Sequence, residues 1–265
     1  MPQHPGPDDH ALAAELAEEA GRLLLALRAE RGFTDGRALK DAGDRSSHDH
    51  LTAALARHRP GDAVLSEEGK DDPARLAADR VWIVDPLDGT REYGEEGRTD
   101  WAVHVALWEK GALAAGAVAL PAQGRTLHTV PGGARVGDAP LAVGEPAPGR
   151  LRIAVSRSRP PAFVQRLADH LDTEVELVPI GSAGGKISAV LLGEVDAYVH
   201  AGGQYEWDSA APVAVALAAG AHVSRIDGSA PEYNREDPWL PDILVCTPEP
   251  ASMLLAGIRH VGLDG

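Results

Sequence analysis

The sequence holds a single cysteine, too few basic residues to balance its acids, and no long apolar run. Each shortage excludes something. One cysteine rules out an internal disulfide. Its setting, Ile243-Leu244-Val245-Cys246, reads as a small buried residue in a reducing compartment, so a cytoplasmic location is expected. Lys and Arg number 25 against 40 Asp and Glu, a net charge of −15, which leaves no basic footprint for general nucleic-acid binding. No stretch reaches the roughly 18 apolar residues of a membrane span. The polar opening segment, residues 1–9, lacks a charged-then-apolar export pattern, so no membrane anchor is expected. What is present is 44% hydrophobic content over 265 residues, enough for a large core in one domain or two closely packed halves.

Hydrophobic spacing predicts a first helix capped by Asp8 or Asp9, with Leu12, Leu16, Leu23, Leu24 and Leu27 near one face and Gly32 as its stop. Residues 33–43 read as a polar, Gly-containing loop and 44–57 as a second helix. A short strand, 63–65, delivers Ser66-Glu67-Glu68-Gly69. Residues 101–108 and 112–120 form a hairpin around Lys110-Gly111, and 126–130 make another strand. The Gly-, Pro- and Ala-rich stretch 131–149 divides an N-terminal α+β half, 8–138, from a C-terminal α/β half, 150–265. In the second half, strands 151–155, 174–178 and 195–199 alternate with helices 160–171, 182–192 and 208–219. A strand at 243–246 and a helix at 250–260 close it. That alternation predicts α/β layering.

The chain is organised around Val81-Trp82-Ile83-Val84-Asp85-Pro86-Leu87-Asp88-Gly89-Thr90. A β-branched apolar run ends at two aspartates, with Pro86 keeping Asp85 extended and Gly89 permitting a turn. This sets two carboxylates, the Leu87 carbonyl and the N–H groups of Gly89 and Thr90 at the mouth of a sheet. Hard cations select such oxygens and phosphates such N–H groups. Two further acid clusters stand at element ends: Glu67-Glu68 after a strand, and Asp208 at a helix start. Together they offer carboxylates for two Mg²⁺ ions sharing a ligand roughly 3.5–4 Å apart.

Leu65-Ser66-Glu67-Glu68, the run Trp82 to Thr90, and Trp207-Asp208-Ser209-Ala210-Ala211, in that order, resemble the inositol monophosphatase-like superfamily of metal- and lithium-sensitive phosphatases. The resemblance covers nearly all the chain after about residue 10. It implies an αβαβα sandwich and hydrolysis of a phosphomonoester with two or three Mg²⁺ ions. By resemblance, Glu67, Asp85 and the Leu87 carbonyl hold one ion, Asp85, Asp88 and Asp208 hold the second, and Glu68 assists through water. Thr90 pairs with an upstream Asp to orient the attacking water. Asp44 suits that part by spacing, although the surrounding Asp41-Ala42-Gly43-Asp44-Arg45 departs from the usual pattern and leaves Asp41 and Asp49 open.

Substrate choice rests on the residues just past Thr90. Arg91-Glu92-Tyr93 resembles the CysQ-type 3′(2′),5′-bisphosphate nucleotidases, where inositol phosphatases usually carry an Asn-Phe pair. Ser156-Arg157-Ser158-Arg159 and Gly181-Ser182-Ala183-Gly184-Gly185-Lys186 are expected to receive a second phosphate. Ala201 occupies the offset where inositol-type members often carry an acid, leaving His200, Gln204 and Tyr205 to contact a base or ribose. The resemblance therefore implies removal of the 3′-phosphate of adenosine 3′,5′-bisphosphate, with its sulfated relative as a further substrate and a role in sulfate assimilation. Inositol 1-phosphate, fructose 1,6-bisphosphate and histidinol phosphate are the sister alternatives, and a non-catalytic metal or nucleotide sensor is the reading from another class. A homodimer is common in the family. His48-Asp49-His50 reads as a solvated helix face, and Trp82 and Trp207 as core supports.

Overall fold

The computed structural model describes residues 8–158, 160 and 162–263; Arg159 lies outside them. Helix α1 (Asp9–Arg31) starts where Asp8 accepts from the Ala11 N–H at 2.7 Å and stops at Gly32. Helix α2 (Gly36–His58) starts well before Asp44, because Asp35 caps it by accepting from the Ala38 N–H at 3.0 Å. Gly43, which read as a loop residue, is inside this helix for a packing reason. A Cβ there would sit 2.8 Å from the Tyr93 ring and 3.0 Å from Leu87, so its absence lets α2 lie against the strand end that carries the acids.

The first sheet has seven strands in chain order: β1 (Ala63–Ser66), β2 (Arg80–Asp88), β3 (Ala102–Glu109), β4 (Ala112–Leu120), β5 (Arg125–Val130), β6 (Gly133–Val136) and β7 (Ala139–Leu141). Only β1 and β2 pair in parallel; the remainder is an antiparallel meander. The stretch expected as a connector thus supplies β6 and β7, since two tight turns let short segments extend the meander. A four-residue helix, α3 (Thr90–Tyr93), follows β2.

The second sheet has the order β11-β12-β10-β8-β9, built from β8 (Arg150–Ser156), β9 (Glu174–Ile180), β10 (Ala197–Tyr205), β11 (His222–Ser224) and β12 (Trp239–Cys246). Its helices are α4 (Ala162–His170), α5 (Ala183–Leu191), α6 (Glu206–Ala218) and α7 (Ala251–Val261). Three-residue β11 escaped the sequence reading because it offers too few alternating positions.

Alternation along the strands sets the layers. On the first sheet, Trp82, Val84, Val103, Val105 and Leu107 face α1 and α2. Val81, Ile83, Ala102 and Ala106 face the opposite way and join Ile187 of α5, Ala210 and Val213 of α6, and Tyr198, Ile243 and Val245 of the second sheet. The outer face of that sheet, with Ile153, Val199 and Leu244, is covered by Phe163 and Leu167 of α4 and Leu254 and Ile258 of α7. The result is the expected αβαβα sandwich. Cys246 is buried on β12, where burial pushes its thiol up to about 12. No helix among the described residues is long and apolar enough to cross a membrane.

Candidate active site

Asp85 and Asp88 are three apart, and a regular strand would send them to opposite faces. A bulge prevents this. Asp85 pairs with His104 and Asp88 with Ala102, so three residues of β2 span two of β3. Since His104 and Ala102 share a face, both aspartates turn towards α5 and α6. The bulge is held by its own carbonyls: Ser47 of α2 donates to Pro86 O at 2.6 Å, and the Thr90 hydroxyl donates to Leu87 O at 3.1 Å. The Leu87 N–H closes the turn onto Asp85 Oδ1 at 3.0 Å.

Asp208, in the first turn of α6, meets the two aspartates there. Carboxylate oxygens of Asp85, Asp88 and Asp208 all lie within 4.8 Å of one another. Glu67 hydrogen-bonds Asp85 through its side chain. The residue as a whole is exposed, but its carboxyl lies against the other acids, where desolvation and the Asp208 charge push it up to about 7. Burial, then Glu67, Asp88 and Asp208, raise Asp85 well above the carboxylate range. Burial, then Asp88, raise Asp208 to about 6. Asp88 alone moves down. Burial works to raise it, but His104, the Gly184 N–H and Lys186 together overcome that.

These countercharges are the part of the site that sequence reasoning missed or misplaced. His104, fully buried on β3, sits with Nε2 3.2 Å from Asp88 Oδ2 and Nδ1 3.1 Å from the Trp207 carbonyl, tying β2 to the start of α6. Nothing in the hairpin pattern marks it except a lone polar residue on an apolar strand. The N–H groups of Ala183 and Gly184 donate to Asp88 at 3.1 and 2.6 Å. Gly184 must lack a side chain, because a Cβ would run into the His104 imidazole.

The start of α5 therefore presents little of the free anion cradle expected from 181–186. Besides the two N–H groups on Asp88, Gly185 donates to Ser182 Oγ at 2.7 Å and Gly181 to Asp100 at 2.5 Å. Lys186 is buried, its ammonium donating to Ser182 O at 2.5 Å; burial lowers its pKa, against the raising effect of Asp88 and other nearby acids. It acts on the acid cluster as a positive charge from behind.

On the other side of β2, the side chains of Asp44 and Thr90 hydrogen-bond each other. Burial, then Glu68 and Asp41, push Asp44 up to about 7. Asp41, Asp44, Arg45, His48 and Glu68 line one cleft, and His48 Nδ1 lies 2.9 Å from Ser66 Oγ. His48 thus faces this cleft rather than bulk solvent, while exposed Asp49 points away and His50 faces Glu19 at 3.2 Å.

The remaining expected substrate contacts scatter. Gly89 has a φ of 83° and turns the chain into α3. Arg91 is exposed, 3.5 Å from Glu95. Arg157 reaches back from the end of β8 to Glu92 and Glu95 at 2.8 and 2.9 Å. Ser156 is half-buried and Ser158 exposed beside it. His200 is hydrogen-bonded to the Gly203 carbonyl at 2.9 Å. Gln204 is buried with its amide nitrogen unpaired, and Tyr205 is open to solvent. Ala201 packs against the outer-face core; the position on the α5 side at that level is His200.

This five-layer fold with an all-oxygen acid centre defines a class of metal-dependent phosphatase, and the model of the inositol monophosphatase family matches residues 10–260. The chain belongs to that family. It is 54% identical over 265 residues to a 3′-phosphoadenosine 5′-phosphate phosphatase of Mycobacterium leprae, covering 96% of this chain and 94% of the relative. It is 32% identical to the 3′(2′),5′-bisphosphate nucleotidase CysQ of Salmonella typhimurium, over 75% of this chain and 81% of that protein. The crystal structure of CysQ from Bacteroides thetaiotaomicron superposes with a TM-score of 0.79 at 28% identity, covering 90% of this chain and 97% of that one. Inositol monophosphatase II of Staphylococcus aureus shares the fold, with a TM-score of 0.79 at 22% identity and coverage of 96% and 95%.

Proposed function

We propose that this chain is a Mg²⁺-dependent phosphatase that converts adenosine 3′,5′-bisphosphate to AMP and inorganic phosphate. The observation that carries the reading is the convergence of Asp85, Asp88 and Asp208 within 4.8 Å, one turn from the Asp44–Thr90 pair. The donor set fits the ion: it is all carboxylate and carbonyl, without His or Cys sulfur, as magnesium prefers. The raised carboxyls fit it too, since mutual repulsion of this kind is relieved by a cation. Glu67, Asp85 and the Leu87 carbonyl would hold one ion, and Asp85, Asp88 and Asp208 a second. Bound there, such ions acidify a water towards neutral pH and screen the charge of the phosphate oxygens.

The chain's own groups supply the rest. Thr90 orients the attacking water, and Asp44 takes its proton through the Thr90 hydroxyl, which turns its own hydrogen from Leu87 O to Asp44. The water oxygen bonds to phosphorus as the bond from phosphorus to the 3′ oxygen breaks, and the departing 3′ oxygen takes a proton from solvent to leave as the ribose hydroxyl of AMP. Burial, helped by Glu68 and Asp41, raises Asp44 and brings its proton affinity near the working pH of a general base. Arg157, paired with Glu92 and Glu95, is the basic side chain that would exchange those partners for a second phosphate. The same reading sets the enzyme in the cytoplasm and as a homodimer, which light scattering measures.

Incubation with adenosine 3′,5′-bisphosphate and Mg²⁺ tests the reaction: AMP with one equivalent of phosphate is expected. Adenosine 3′-phosphate as product would refute the assigned bond, and binding without phosphate release would favour a sensor. Metal binding has its own signature. Glu67 and Asp208 hold their protons to about 7 and about 6, above the ordinary carboxylate range. Protons therefore compete with the ion through that window, and the competition fades as pH rises. The increase in Tm on adding Mg²⁺ is expected to be larger at about pH 8 than at about pH 5, measured by scanning calorimetry. An equal increase at both would count against a carboxylate site.

A further inference from the structure

Tyr205 and Trp239 leave large rings in solvent, at 42% and 46% exposure, in a chain that buries Trp82 and Trp101 completely. They are cross-strand partners at the end of β10 and the start of β12. Paired residues share a sheet face. Tyr198, His200 and Tyr205 pair with Val245, Ile243 and Trp239, partners spaced by even numbers, so all three stand on the face towards α5. A bulge between Ala201 and Gln204 makes this so by re-aiming the strand end.

The arrangement is built rather than incidental. The Tyr205 and Trp239 planes meet at 81° with centroids 5.5 Å apart, while Trp207 backs Tyr205 in parallel, 4.8 Å away and 10° tilted. Gly203, at a φ of 88°, gives the indole its place, since a Cβ there would overlap the Trp239 ring. The corner is fixed to the acid centre: the Tyr205 N–H donates to Asp208 Oδ2 at 2.6 Å, and the Trp207 carbonyl is held by His104, which also holds Asp88. Two open rings at right angles, on a rigid backing beside the reacting carboxylates, present a stacking wall and an edge wall to a flat, uncharged ligand group.

We propose that Tyr205 and Trp239 seat the purine base of the substrate and are the residues that select a nucleotide over a sugar phosphate. This rests on the proposed phosphatase reading. Stacking on an aromatic ring recognises the uncharged face of a base. A base seated here would hang beyond Asp208, with its ribose phosphate over the acids.

The test compares kcat/KM for adenosine 3′,5′-bisphosphate with that for the methyl riboside 3′,5′-bisphosphate, which lacks the base. In Tyr205→Ala and in Trp239→Ala the ratio of the two is expected to fall about tenfold or more, and Tyr205→Phe to keep it. An unchanged ratio in both alanine variants overturns the seat, including the case where both substrates slow together through disturbance of Asp208. Quenching of tryptophan fluorescence by AMP separates this from the parent reading. If neither ester is hydrolysed but AMP quenches the wild type and not Tyr205→Ala, the seat stands and the phosphatase reading falls. If hydrolysis occurs and quenching is equal in both, the seat falls alone.

Discussion

Asp85→Asn is expected to lower kcat about a thousandfold, the scale of losing a principal electrostatic group in the transition state, while raising the Tm of the metal-free protein. Asp85 is buried among Glu67, Asp88 and Asp208 and is held well above the ordinary carboxylate range by burial and by those three charges. Folding at neutral pH must hold a proton on a carboxyl that is ionised in the unfolded chain, and the neutral amide removes that cost. The packing survives, because the Asn oxygen can still accept from the Leu87 N–H, now at 3.0 Å from Asp85, and its amide can donate to Glu67. Activity and stability thus move in opposite directions, as expected where a functional cluster is strained. Phosphate release and scanning calorimetry on the same sample check both. A variant that loses activity and Tm together would point to a structural role for Asp85. Asp88 would be a less clean choice, because its oxygens accept from Ala183, Gly184 and His104, and an amide would set donor against donor.

Asp44→Asn is expected to cost about 10²–10⁴ in kcat, the usual range for a general base, with little change in KM or in the Mg²⁺ concentration needed for half activation. Asp44 stands with Thr90, Glu68 and Asp41, outside the group formed by Asp85, Asp88 and Asp208. Its loss therefore touches proton transfer and leaves the ion-holding carboxylates in place. Steady-state kinetics across a Mg²⁺ series measures this. A large shift in the Mg²⁺ requirement would move Asp44 into the ion site, and unaffected turnover would pass its part to Asp41.

The acids were legible because strand ends and helix starts can be read locally: Glu67 after an apolar triplet, Asp85 and Asp88 after another, Asp208 before an alanine-rich helix. What makes them one group was not legible. The bulge in β2 depends on how Asp85 and Asp88 register against β3, and register is a pairing between distant segments. The second bulge, between Ala201 and Gln204, likewise decides that Tyr205 looks the same way as His200. Glycine misled twice for one reason. Gly43 and Gly184 read as loop or anion-binding residues, yet each is there so that a helix can approach a ring, of Tyr93 and His104 respectively. Lys186 read as a phosphate ligand from its place after a Gly-rich turn; tertiary packing buried it behind Asp88 instead. The five-layer order was within reach of the alternation and the family motifs, while β6, β7 and β11 are too short to announce themselves.

The most direct test of the account is kcat/KM, with saturating Mg²⁺, for adenosine 3′,5′-bisphosphate, inositol 1-phosphate and fructose 1,6-bisphosphate on one enzyme preparation. In the proposed reading the acid centre would account for hydrolysis, and Arg157 with the Tyr205–Trp239 corner would account for choice. The adenosine bisphosphate is predicted to exceed both sugar phosphates by about tenfold or more, the factor that a single aromatic stack on the base supplies. Faster cleavage of inositol 1-phosphate than of the nucleotide would contradict it.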